Sequence, residues 1–234
     1  MRSTAFAAFV ATGLAAAPLA AGHAAPVVVE LFTSEGCSSC PPADAFLTEL
    51  AQHHQDSLPL AFHVTYWNGL GWNDPFSFEG ATDRQRSYAR TLEDDRVYTP
   101  EMVVNGAFGF VGSDRAQGLA AIARASHAAR PDIRLGLVRD GNRFTISAGA
   151  GSGEATLLLV GFDPEHRTPI GRGENSGRTL LESNVVRSLT RVGQWTGAPV
   201  ELEAGVPAGE KFAVLLQARD GTILGATTDA AAQL

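Results

Sequence analysis

The run Val27-Val28-Val29-Glu30-Leu31-Phe32-Thr33-Ser34-Glu35-Gly36-Cys37-Ser38-Ser39-Cys40-Pro41-Pro42-Ala43-Asp44 decides the fold, because it carries an apolar strand through a short turn into C-x-x-C and on into a helix. Its cysteines are the only two in the chain. One bond closing so small a ring contributes about 2 kcal/mol on the loop-entropy relation, too little for a structural staple. Zinc needs four ligands, and neither a second cysteine pair nor a spaced histidine pair is present, since His53 and His54 are adjacent. Reversible thiol chemistry, with no metal and no other cofactor, is the economical reading.

Pro26 to Phe32 is a nearly continuous apolar run that fits a strand buried on both faces. Glu30 interrupts it, and a carboxylate there needs a partner or a proton. Two readings stay open: Glu30 exchanges a proton with Cys40, or it sits at the strand end in water. Pro41-Pro42 fits only the first turn of a helix, after which Ala43, Phe46, Leu47, Leu50 and Ala51 share one face. The cysteines therefore stand at a helix N-terminus, where free N–H groups and the helix dipole favour a thiolate. Cys37, farther from the helix body and flanked by Gly36 and Ser38, is expected to be the exposed nucleophile, and Cys40 the resolving thiol beneath it. The residue before a proline avoids the α region, which places Cys40 outside the helix.

The chain has 234 residues with 18 basic and 25 acidic side chains, a formal charge of −7. That balance argues against a nucleic-acid groove or an anionic membrane surface and leaves proteins or small molecules as partners. Residues 1–25 read as a secretion signal: Arg2, an Ala-rich apolar core from Ala5 to Ala21, and small-residue cleavage options between Gly22 and Ala25. The expected location is periplasmic or secreted, where C-x-x-C can be held oxidised or cycled. No later segment is long and apolar enough to span a bilayer.

Leu58 to Tyr66 is a second strand, parallel to the first across the helix. The loop Trp67-Asn68-Gly69-Leu70-Gly71-Trp72-Asn73-Asp74-Pro75-Phe76 follows, at the strand end where ligands of open α/β sheets bind. Trp67, Trp72 and Phe76 either line the surface around the cysteines or cap the core, and His63 reads as a core histidine. Ala81 to Glu93 is helical with Arg84, Arg86 and Arg90 on a solvated face. Arg96 to Phe108 gives a turn, the Thr99-Pro100 step, a strand, an Asn105-Gly106 hairpin turn and another strand. A helix from Gly118 to Ala129 is stopped by Pro131.

Beyond residue 130 the texture changes to short alternating strands: Ile133–Arg139, Arg143–Ser147, Glu154–Phe162, Thr179–Val192, Val200–Leu202, Phe212–Ala218 and Ile223–Ala226. Seven strands in so short a length suggest a small antiparallel β-sandwich. The expected division is a leader over 1–25, an α/β domain over 26–130 and a β-sandwich domain over 131–234. Arg172-Gly173-Glu174-Asn175-Ser176-Gly177-Arg178, between two of these strands, followed by Glu182, Asn184 and Arg187, is either a polar patch facing the cysteines or a turn whose arginines pair with nearby acids.

The order strand, C-x-x-C at a helix start, strand, helix, Thr-Pro-strand-Asn-Gly-strand, helix resembles the thioredoxin fold over residues 26–130. The resemblance implies an α/β thioredoxin-like domain followed by the β-sandwich. It makes Thr99-Pro100 the cis-proline loop that lies against the cysteine pair and hydrogen-bonds an extended substrate, and it sets Glu30 near the place of a buried acid. The fuller string from Val29 to Asp44, with Tyr66-Trp67, Gly71-Trp72, Asp74-Pro75, Tyr98-Thr99-Pro100 and Gly173 to Thr179, is similar to a secreted bacterial family, domain of unknown function 1223. The chain departs from ordinary thioredoxins in having no tryptophan before Cys37 and two prolines after Cys40.

These readings converge on a periplasmic or secreted thiol-disulfide oxidoreductase. Cys37 attacks, Cys40 resolves, Glu30 shuttles a proton, and Thr99, Pro100, Trp67 and Trp72 hold the substrate. The partners implied are a protein or small-molecule thiol or disulfide substrate and a redox-recycling partner. Two alternatives stay open. One is a copper-binding protein using both thiolates and a histidine such as His63, although Met102 is the only methionine after Met1. The other is a binding module with an inert disulfide.

Overall fold

The first strand, β1 (Val27–Thr33), is buried along its whole length, as its unbroken apolar run requires. Helix α1 (Pro41–His53) carries the chain over to β2 (Ser57–His63), which runs parallel to β1 with Val27 opposite Ser57 and Thr33 opposite His63. A 3₁₀ turn (Thr65–Trp67) and α2 (Glu79–Thr91) lead to the hairpin of β3 (Glu101–Val104) and β4 (Phe108–Val111), with β3 antiparallel to β1. Asn105 and Gly106 turn that hairpin with φ of 48° and 66°, the left-handed conformation a two-residue turn needs. Helix α3 (Arg115–His127) starts at Asp114, whose carboxylate accepts the Gln117 N–H at 3.0 Å. The structure, a computed structural model, describes residues 25–92 and 96–229, so the expected leader lies, but for Ala25, outside the described residues.

All seven strands expected after residue 130 form: β5 (Leu135–Asp140), β6 (Arg143–Ala148), β7 (Ala155–Pro169), β8 (Thr179–Trp195), β9 (Val200–Gly205), β10 (Lys211–Ala218) and β11 (Ile223–Thr228). They do not close into a sandwich of their own. β8 lies beside β2, so eight strands build one mixed sheet in the order β11-β10-β7-β8-β2-β1-β3-β4, while β5-β6-β9 form a second sheet of three. The reason lies in β2, an apolar strand whose second edge would otherwise stand open. The seam is short: Pro59 has no N–H to give, a single parallel pair joins Ala61 to Val185, and the Asn184 side chain donates to the Pro59 carbonyl at 2.8 Å.

Alternation along the strands gives the large sheet two faces. On one, Val28, Phe32, Phe62, Val160 and Leu215 form a core that spans both halves and is closed by Tyr88 of α2. On the other, Val29 and Leu31 pack with Phe46, Leu47, Leu50 and Ile122 under α1 and α3. Farther along, Leu157, Leu159 and Val214 meet Phe144 and Ile146 of the small sheet around the buried Trp195. A sandwich therefore exists, but one of its layers is the continuation of the sheet that carries the cysteines. The large sheet also curls, for the Ile223 N–H donates to the Asn105 carbonyl at 2.9 Å. A Cβ on Gly106 would come within 1.9 Å of the Gly221 oxygen, so this turn admits only glycine. Among the described residues no helix is long and apolar enough to cross a membrane.

Glu30 shares its face with Val28 and Phe32, opposite α1. Arg84 clamps it with two guanidinium nitrogens, Nη2 to Oε1 at 2.8 Å and Nε to Oε2, and the Tyr88 hydroxyl donates to Oε1 at 2.7 Å. The solvated arginine face expected of α2 is thus corrected at Arg84, which is only 7% exposed, while Arg86 and Arg90 do reach solvent. Stripping one partner from a buried pair leaves the other charge uncompensated, at a cost of about 3–5 kcal/mol. Arg84→Met should lower the unfolding free energy in urea by about that amount, and Glu30→Gln in the same chain should recover most of it. A loss below about 1 kcal/mol in the single variant would show that the pair holds little of the fold together.

Candidate functional site

The turn after β1 folds back on itself: the Cys37 N–H donates to the Ser34 carbonyl at 3.0 Å and the Cys40 N–H to the Cys37 carbonyl at 3.2 Å. That brings the cysteine Cα atoms to 5.4 Å, and the two sulfurs are joined as a disulfide. Cys40 is the N-cap of α1 with helical φ and ψ of −79° and −35°, and Pro41 and Pro42 fill the first two helical positions. The bias against α geometry before proline is overridden here, because the Cys40 carbonyl accepts both the Ala43 and the Asp44 N–H, at 2.8 and 3.1 Å.

Cys37 is not the exposed member of the pair; both cysteines are wholly buried, and only Ser38 and Ser39 between them reach solvent. The connection between β7 and β8 lies on this turn. Asn175, fully buried, donates from Nδ2 to the carbonyls of Glu35 and Cys37, each at 2.9 Å. The Glu174 carboxylate accepts the Ser38 N–H at 3.1 Å and the Ser38 hydroxyl at 2.7 Å. Of the two readings left open for Arg172 to Arg178, a polar segment facing the cysteines is the one that forms, with an amide and a carboxylate making the contacts. Arg178 supports it from behind, donating to Asn175 Oδ1 at 3.2 Å.

The remaining sequence candidates divide. Trp67 lies beside Gly36, where an added Cβ would meet it at 3.4 Å, and donates from Nε1 to the Thr99 hydroxyl at 2.7 Å, so it stands between the cysteine turn and the Thr99–Pro100 step, whose peptide bond is cis. Trp72 donates to Glu35 Oε2 at 2.7 Å and packs against Gly173 of the β7–β8 connection. Phe76 stays apart, with its ring against His63 and His166. Glu30 is also elsewhere: its pairing with Arg84 and Tyr88 on the opposite face of the sheet withdraws it from Cys40, which corrects its expected place as the shuttling acid.

Beneath the cysteine turn, on the α1 face, the structure gathers acids of which the sequence reading singled out only Glu182, as part of the polar patch expected to face the cysteines. Asp44, one helical turn past Cys40 and 5% exposed, accepts the Thr33 hydroxyl at 2.7 Å; burial pushes its carboxyl up to about 7. His63 Nδ1 lies 2.8 Å from Asp74 Oδ2, which also accepts the Glu35 N–H at 2.8 Å. Burial disfavours the charged ring, but the fields of Asp74 and Glu182 outweigh it and raise His63 to about 10, while Asp74 is lowered despite its own burial. Glu182 Oε1 stands 3.7 Å from His63 Nε2, and neither atom has a hydrogen-bond partner among the described residues. Burial raises both Glu182 and Glu35. A mostly apolar cleft of about 280 Å³, bordered by Pro41, Thr48 and the start of β8, reaches Asp44. The histidine named for a copper site is thus already engaged by Asp74.

Fold and site together define a mixed α/β protein with one buried C-x-x-C disulfide at a helix start. The chain belongs to the family described as protein of unknown function, DUF1223, whose model matches residues 28–217. It is similar to the X-ray structure of a structural-genomics target from Agrobacterium tumefaciens, with 33% identity and a TM-score of 0.74, covering 92% of this chain and 99% of that one. It also resembles HBP35 of Porphyromonas gingivalis at 13% identity and a TM-score of 0.58, over 89% of this chain and 76% of that one, a likeness of fold alone. No curated protein matches the sequence.

The Asp44 carboxyl carries a consequence for stability. Its folded pKa lies above the usual 3.8, so the folded state keeps a proton that the unfolded chain releases. Stability from this group is full below about pH 4, declines as pH rises to about 7 and is level above that, a loss of at most about 4 kcal/mol. Asp44→Asn keeps an acceptor for Thr33 and removes the ionisation. The variant should gain on the parent between pH 4 and pH 8 in thermal denaturation; a constant difference across that range would mean that Asp44 ionises normally.

Proposed function

We propose that this is an exported thiol-disulfide exchange protein, thioredoxin-like over residues 26–130, working through the Cys37–Cys40 pair. The observation that carries the reading is the joining of the chain's only two cysteines as a disulfide at the N-terminus of α1, with Trp67 standing between their turn and the cis Thr99–Pro100 step. A disulfide kept for stability alone would contribute little across so short a loop.

In the oxidising direction a substrate thiolate attacks Cys37 Sγ, the Cys37–Cys40 bond breaks, and Cys40 leaves as a thiolate that takes up a proton. A second substrate thiol then attacks the substrate sulfur of the mixed disulfide and releases Cys37. In the reducing direction the Cys37 thiolate opens a substrate disulfide and Cys40 attacks Cys37 Sγ to free the product thiol. Asp44 suits the proton step better than Glu30. It follows Cys40 by one helical turn, borders a cleft open to solvent, and its raised carboxyl holds or yields a proton near neutrality. Substrate chains would approach along Thr99 and Pro100.

The test is the reduction potential of the pair against glutathione, read from thiol content at equilibrium. A value between about −120 and −270 mV, with catalysed dithiol exchange lost in Cys37→Ser, is the expected result. A potential below about −300 mV would sink the proposal and favour a binding module with a permanent disulfide.

A further inference from the structure

The cysteines are wholly buried, yet the turn that holds them is itself at the surface, with Ser38 and Ser39 exposed. What lies over it comes from the other half of the sequence. Residues 170–178 form a compact knot: the Ile170 N–H donates to the Arg178 carbonyl at 2.8 Å, the Gly177 N–H returns to the Ile170 carbonyl at 2.8 Å, and the Ser176 N–H bonds the Gly173 carbonyl at 3.2 Å. Glycines at 173 and 177 take φ of 80° and 81°, which lets the knot close. From it Asn175 reaches two carbonyls of the cysteine turn and Glu174 takes both the N–H and the hydroxyl of Ser38. The Glu174 carboxyl is held below its usual range by those two donors, as an acceptor engaged in its charged form should be.

From this geometry we propose that Glu174 and Asn175 are specificity-determining residues: they latch the cysteine turn beneath the β7–β8 connection, bar small thiols from the disulfide, and yield to a thiol-bearing protein partner able to displace the knot. The inference rests on the exchange reading above. Attack on a disulfide needs the thiolate to approach along the S–S axis, and a fully buried Cys37 offers no such path until the covering segment moves. The four latch contacts are local and polar, so they can be exchanged for contacts with an incoming chain without unfolding either core. A small thiol makes no such replacement contacts and must wait for spontaneous opening.

The measurement is the rate at which dithiothreitol reduces the oxidised mature protein, followed by alkylation and mass at fixed pH, with the urea-unfolded chain as the unprotected reference. The native protein should react at least about tenfold more slowly than that reference, and Glu174→Ala should recover about tenfold of the difference. Asn175→Ala should recover more, and Glu174→Met, which keeps the side chain's length but offers Ser38 no strong acceptor, should give the same acceleration if an alanine variant is poorly folded. Arg84→Met, which weakens the fold on the opposite face, separates local from global opening: its rate should match the parent. Equal rates for parent, Glu174 and Asn175 variants, or acceleration by Arg84→Met as large as by Glu174→Ala, would overturn the latch. A latch that opens as described in a protein that catalyses no exchange with protein dithiols would keep the latch but remove the exchange reading, and with it the role of Glu174 and Asn175 in specificity.

Discussion

The placement of β8 against β2 is the constraint on which the rest of the molecule depends. It is a thin seam, one backbone pair and one asparagine side chain, because Pro59 interrupts the ladder. Yet it fuses the two halves of the sequence into one sheet and fixes what stands over the disulfide. Glu182, near the start of β8, is delivered to His63, and the connection just before β8 is delivered to the cysteine turn. The long pairing of β7 with β8, from Ala155 opposite Trp195 to Pro169 opposite Thr179, makes a stiff arm that reaches from the small sheet to the site.

Two sets of buried charges face opposite sides of that sheet, and they are built on different principles. Glu30 is fully answered, by two guanidinium nitrogens and a hydroxyl, and stays where a packed core needs a neutral total. The cluster around His63 is answered only in part: among the described residues Glu182 has no hydrogen-bond partner on either oxygen, and Asp44, Glu35 and Glu182 are all raised by burial. Under-paired acids cost stability, and perturbed groups of this kind cluster at functional sites more than elsewhere. That contrast, more than sequence position, separates an acid fully paired within the fold from acids left short of partners.

Much of the architecture was legible. The apolar run Val27 to Phe32, the double proline after Cys40 and the Asn105-Gly106 turn each place an element by local chemistry, and all seven later strands start within two residues of where alternation puts them, although β7 runs on from the expected end at Phe162 to Pro169. Their partners were not legible, because period-two alternation names the faces of a strand and says nothing about its neighbour. For the same reason Glu30 looked suitable for Cys40. One residue of register decides which face a side chain takes, and the arginine that answers it lies 54 residues away. Asp44 had a signal that went unused, for it stands four positions after Cys40, one turn of the same helix. Glu182 was legible as part of the polar patch after Gly173, but not its place beside His63, which only the long-range seam creates.

The shared sheet also changes what a functional unit means here. If the second half were a separable sandwich, residues 26–130 would keep both cores and the cysteine site. In the actual topology their removal from residues 131–234 takes β8 from the edge of β2, opens the core that Val160 and Leu215 complete, and strips Gln217 from the Arg84 and Tyr88 network. It also takes Glu174 and Asn175 away from the cysteine turn. The surroundings of the Cys37–Cys40 turn therefore belong to neither half alone, because the long hairpin that completes the sheet also carries the side chains that bond that turn.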